Sequence, residues 1–94
     1  MIKTVLVALS SSTYYGEDMK EIDHIERLIR RAVDPTDSFD VHFIINNNVE
    51  PESCFVNCDA VAFYNTGFSK MEEAKEMGLE VYCYQFDTDR FVRA

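Results

Sequence analysis

An α/β fold is expected from this sequence: a small three-layer sandwich with a four-stranded parallel sheet between helices. Three observations carry that expectation. Apolar runs alternate with helical patterns along the 94 residues, the signature of strands joined by helical crossovers. The first run, Thr4-Val5-Leu6-Val7-Ala8-Leu9, shows no polar alternation, as befits a strand covered on both faces. Polar turns close the runs, at Ser10-Ser11-Ser12, Asn46-Asn47-Asn48 and Asn65-Thr66-Gly67.

The elements follow in order. Glu17 to Val33 reads as a helix, because Ile22, Ile25, Leu28, Ile29, Ala32 and Val33 recur at three and four residues and form one stripe. Glu17 and Asp18 suit the positive end of its dipole, and Arg30 and Arg31 the negative end. Asp34-Pro35 ends it, since the residue before proline is pushed out of the helical region. His24 falls on the polar side. After a turn at 37–40, Phe39 to Ile45 reads as a second strand, and its interleaved Asp40 and His42 mark it as an edge. Pro51-Glu52-Ser53 can open one helical turn. Ala60 to Tyr64 is a third strand. A helix starting at Phe68 or Ser69 runs through Met77, with Ser69 as N-cap, Glu72 completing a capping box, and Gly78 as terminator. Glu80 to Phe86 is a fourth strand, and Asp87 to Ala94 a short terminal helix or ordered tail. All 94 residues are read as one domain.

Composition excludes several classes. A formal charge of −8 argues against general binding of DNA or RNA phosphates. No apolar stretch approaches the roughly 20 residues of a membrane span. No charged region followed by an apolar run and a cleavage site opens the chain, so a cytoplasmic location is expected. Cys54, Cys58 and Cys83 form no paired short spacings, so they read as reduced, partly buried thiols, with no metal site.

The expected strand order is 2-1-3-4. It reverses between the first and third strands, and ligands of open parallel sheets sit at such reversals, beyond the carboxyl ends of the strands. The loops 10–16 and 65–70 meet there. Ser10, Ser11, Ser12 and Thr13 supply four successive hydroxyls, and Tyr14 and Tyr15 can stack on a base or sugar. Asn65, Thr66 and Gly67 form the second loop, where a polar ligand can be hydrogen-bonded. Lys70 can offset a negative charge on that ligand. Glu72 and Glu73 are the nearest carboxylates for nucleophilic or general-base work. The three asparagines at 46–48 are first a turn, and second a set of ligand-facing amides. With neither a GxGxxG nor a GxxxxGKS pattern, dinucleotide and P-loop binding are unsupported, and no cofactor is expected.

The segment CDAVAFYNTGFSKMEEAKEMGLEVYCY, Cys58 to Tyr84, resembles the C-terminal half of the nucleoside 2-deoxyribosyltransferase-like superfamily. Asp59-Ala60-Val61, Gly67, Ala74 and Gly78 follow its order, and Gly16-Glu17-Asp18 resembles its acidic helix start. The resemblance implies a flavodoxin-like or deoxyribosyltransferase-like sandwich with a pocket for a nucleoside or nucleotide. It also implies action on an N-glycosidic bond, with Glu72 or Glu73 as nucleophile, Lys70 and Ser11 holding a phosphate, and Tyr14 or Tyr15 on the base. The B subunits of sugar phosphotransferase systems have this size and strand order too, but they carry a cysteine after the first strand, where this chain has Ser10.

The alternative is an acidic, non-enzymatic interaction or inhibitor protein. Its negative face would comprise Glu17, Asp18, Glu21 and Asp23 with Glu72, Glu73 and Glu76. A domain this short often pairs to complete a site or cover a sheet, so a homodimer is among the expected partners.

Overall fold

The computed structural model describes residues 3–16, 19–33, 38–66 and 68–94, with Met19 and Phe68 by backbone alone. The acidic helix start at Glu17-Asp18, the stop at Asp34-Pro35, and Gly67 lie outside these residues. The chain forms β1 (Lys3–Leu9), α1 (Ser11–Tyr14), α2 (Met19–Ala32), β2 (Phe39–Ile45), α3 (Pro51–Cys54), β3 (Ala60–Phe63), α4 (Phe68–Glu76), β4 (Glu80–Gln85) and β5 (Arg90–Arg93). Single 3-10 turns at Asn46–Asn48 and Phe55–Asn57 flank α3.

The sheet has five strands in the order β2-β1-β3-β4-β5. The first four are parallel, in the expected order. The fifth corrects the expectation of a four-stranded, all-parallel sheet. The segment expected as a terminal helix or tail folds back through residues 86–89 and pairs antiparallel with β4. Asp89 takes a left-handed conformation at φ 49° to close this turn, one that aspartate tolerates better than most residues.

Alternation along each strand sorts side chains onto two faces. Val5, Val7 and Leu9 of β1, Ala60 and Ala62 of β3, Tyr82 of β4 and Phe91 of β5 meet Ile25, Leu28, Ile29 and Val33 on one face. Ala8, Val61, Phe63 and Val81 meet Val49, Phe55 and Ala74 on the other. These are the two outer layers of the sandwich: α2 on one side, α3 and α4 on the other. The central strand β3 is wholly buried, and among the described residues no polar residue is buried as a whole.

Helix ends follow local chemistry. Pro51 starts α3 at a position where a missing N–H costs nothing. Gly78, at φ +79°, closes α4, with the Leu79 N–H donating to Ala74 O and the Gly78 N–H to Lys75 O, the paired bonds of a glycine-terminated helix. Ser69 lies inside the first turn of α4 and is not its N-cap, because the helix begins at Phe68. Asp59 fastens the opposite end of the sheet: its carboxylate accepts the Thr4 N–H at 2.8 Å, and its own N–H donates to Thr4 O at 2.9 Å.

Candidate ligand-binding site

β1 and β3 lie side by side and parallel, and the Tyr64 N–H donates to Ala8 O at 3.1 Å, which keeps their exits together. Beyond these exits is a cleft of about 150 Å³ lined by Ser10, Ser11, Ile45, Asn46, Asn47 and Thr66. Three strands contribute: β1 through the serines, β2 through Ile45 and the asparagine turn, and β3 through Thr66. The space suits one ring or one polar group, below the roughly 300–1,000 Å³ that encloses a whole drug-sized molecule.

The serine run folds as a capped helix turn. Ser10 Oγ accepts the Thr13 N–H at 3.3 Å and lies within 3.1 Å of Ser12 Oγ and 3.0 Å of Thr13 Oγ1. Three of the four expected hydroxyls are thus engaged with one another, and Ser10 and the exposed Ser11 line the cleft. Tyr14 and Tyr15 stand edge to face, centroids 5.1 Å apart, and Tyr15 is 72% exposed. Asn65 turns the chain after β3 at φ 54° and is exposed.

Asn46 is the most informative residue of the cleft. Its backbone carbonyl accepts a hydrogen bond from Lys70 Nζ, which ties the start of α4 to the end of β2. Its side-chain Oδ1 is buried and has no hydrogen-bond partner among the described residues. An unanswered buried acceptor costs roughly 1–3 kcal/mol, so this oxygen favours a donor. Lys70 has further donors to offer, since an ammonium carries three.

The two expected catalytic carboxylates do not line this cleft. Glu72 is 76% exposed along its side chain and lies 3.6 Å from Lys75 on the same helix. Glu73 lines a separate hollow of about 460 Å³ with Glu50, Pro51 and Glu52 of the α3 side. Ala74 is buried against the sheet, and its exposed neighbours Glu72 and Glu73 turn away from it accordingly. The expected negative face also divides. Glu21 and Asp23 belong to α2, whereas Glu72, Glu73 and Glu76 belong to α4 on the opposite layer.

Cys54, Cys58 and Cys83 are free and partly buried. Burial first, then the negative charge of Asp59, pushes the Cys58 thiol up to about 11. It therefore stays protonated and unreactive near neutrality.

One constellation was hidden from the sequence because its members are far apart. Asp89 accepts from the Tyr84 hydroxyl at 2.6 Å and lies 2.9 Å from His24 Nε2. The Tyr64 ring packs on Tyr84 at 4.5 Å, and its hydroxyl donates to Glu21 at 3.4 Å. The bond to Asp89, and then burial, holds the Tyr84 phenol above its ordinary range; burial, and then Glu21, raises Tyr64. The same bond from Tyr84 lowers the Asp89 carboxyl. The tyrosines bind protons more tightly when folded, so their contribution to stability is complete below about pH 10 and declines as pH rises beyond it. The Asp89 contribution has the opposite sense: it is present above the ordinary carboxylate range and is lost as pH falls through it. In a phenolate absorbance titration, Asp89→Ala is expected to bring the ionisation of Tyr84 back toward about pH 10. An unchanged titration would show that the contact does not form in solution.

Comparison of the chain with known protein families, with curated proteins and with solved structures finds no match.

Proposed function

We propose that this chain binds a nucleoside- or nucleotide-type small molecule at the cleft formed by Ser11, Asn46 and Thr66. The observation that carries this reading is Asn46 Oδ1, a buried acceptor with no partner among the described residues, in a cleft at the reversal of strand order. A base N–H or a sugar hydroxyl would donate to it. Ser11 and Thr66 can donate or accept beside it. Lys70 would offset a phosphate, and the exposed Tyr15 offers an aromatic face, worth about 1–3 kcal/mol per stacked base. The reading is of binding. Cleavage of an N-glycosidic bond by covalent catalysis needs a carboxylate at the sugar, and Glu72 and Glu73 lie outside the cleft.

A thermal-shift screen of nucleosides and nucleotides tests it. At least one is expected to raise the midpoint of the wild-type protein at millimolar concentration, and Asn46→Leu should abolish that rise while keeping the fold. No stabilisation by any member of the panel would remove the proposal. A second reading, an interaction protein for a basic partner, is favoured only by the hollow that Glu50, Glu52 and Glu73 share between α3 and α4. Salt-sensitive capture of a basic partner, lost on substituting those three, would support it.

A further inference from the structure

We infer that the outer edge of β2 is an interface between two copies of this chain, which set β2 antiparallel against β2 about a two-fold axis and join their sheets into one. The Lys3 N–H donates to Ser38 O, and Lys3 stands in register with Phe39. In a parallel ladder that bond turns the amides of Asp40, His42 and Ile44 toward β1. It leaves the N–H and C=O groups of Phe39, Val41 and Phe43 facing outward. No hydrogen bond answers them among the described residues. β2 is seven residues long, pairs with β1 in unbroken register, and contains no proline, lysine or arginine. It therefore lacks most of the devices that keep an edge from pairing. Its two ionisable side chains, Asp40 and His42, are the exception, and they select the partner.

Alternation divides the side chains of this edge cleanly. Phe39, Val41 and Phe43 lie on the α2 face and are only partly buried, whereas Val5, Val7 and Leu9 of the neighbouring β1 are fully covered. The helix that covers this face packs on β5 at the far side of the sheet, and the apolar flank of β2 is left half open. Asp40 and His42 lie together on the opposite face. Both are exposed, and neither makes an ion pair or hydrogen bond among the described residues. Arg30, over the Phe39 ring at 5.0 Å, is paired with Glu26 and adds no unanswered charge.

Self-pairing must set outward residue against outward residue. With Val41 on the two-fold axis, Phe39 of each copy stands opposite Phe43 of the other, and Asp40 of each stands opposite His42 of the other. The ladder then satisfies the outward amides of all three apolar residues. The aromatic pairs cover the half-open flank, each contributing roughly 0.2–1 kcal/mol. The Asp40 carboxylate meets an imidazole, which carries a donor N–H in either protonation state. They meet at a non-hydrogen-bonded position, where facing side chains approach most closely. With His42 on the axis instead, His42 would face itself and Asp40 would face Ile44, so the polar pairs select the first register. An identical copy supplies all of these matches by symmetry. The formal charge of −8 on each copy opposes association only weakly, because exposed charges are largely screened beyond about 8 Å at physiological ionic strength.

Sedimentation velocity of the full chain from micromolar to millimolar concentration, with hydrogen exchange on the same samples, tests the interface. A dimer is expected, and the Val41 and Phe43 amides should gain protection as it forms. Asp40→Lys and His42→Glu, at exposed positions, should each weaken association about tenfold. The two substitutions together reverse the facing charges and should restore association to within about threefold. Val41→Pro removes only an outward N–H, which an edge strand tolerates, and should leave a monomer with unchanged far-UV circular dichroism. A wild-type monomer at every concentration, or new protection confined to β5, would overturn the inference. So would a double variant no better than the single ones, or a Val41→Pro variant that still dimerises.

Discussion

Phe63→Ala is expected to lower stability by about 3–5 kcal/mol, the range for truncating a fully buried aromatic. Phe63 is the last residue of β3, has no exposed surface, and packs among Ala8, Val49, Phe55, Val61, Ala74 and Val81. Its neighbours come from three strands and the helical layer above them, so they cannot close on the void together. For a domain of this size the loss corresponds to a melting point roughly 15–25 °C lower. Phe63 also stands immediately before the turn that carries Thr66, so the variant should lose ligand-induced stabilisation as well. Urea denaturation measures the first effect. A loss under 1 kcal/mol would mean that this layer of the core is not packed as described.

Phe91→Ala is expected to cost about 3 kcal/mol and to release β5. Phe91 is 4% exposed, and its ring lies 5.6 Å from Tyr84 and 6.3 Å from Tyr64. β5 is only four residues long, and Phe91 is its single buried side chain. Without that anchor the strand retains its hydrogen bonds to β4 but little apolar burial, too little to offset the entropy of ordering it. Hydrogen exchange resolves this. The Val92 and Ala94 amides should lose protection far more than the amides of β1, and Val92→Ala should leave them protected. Equal loss across the sheet would indicate that β5 is not a separable edge.

The legible parts of the fold were those in which one residue pattern has one physical solution. The unbroken Thr4–Leu9 run can be satisfied only with cover on both faces, and it became an inner strand flanked by both core layers. The stripe from Ile22 to Val33 formed the buried face of α2. Gly78 closed α4 as its conformational freedom suggests. β5 escaped because Arg-Phe-Val-Arg is short and half charged, and its strand character depends on the neighbouring β4 more than on its own propensity. The orientation of Glu72 and Glu73 was likewise unreadable, since the apolar stripe legible within α4, Met71 and Ala74, is narrow and does not fix which flank faces the cleft. The Tyr84–Asp89–His24 cluster had no local signal, because His24 and Asp89 are 65 residues apart. The role of Asn46 was only half visible: a triple asparagine reads as a turn, and its unanswered Oδ1 emerges only when β2 is placed beside β1.

Amide and side-chain NMR of the full chain, titrated with 2-deoxynucleosides and their monophosphates, tests the binding cleft most directly. The expected result is a saturable set of shifts at Ser11, Asn46, Asn47 and Thr66, with the Asn46 side chain among the largest. A flat titration at millimolar ligand, or shifts gathered around Glu73 and α3 instead, would contradict it.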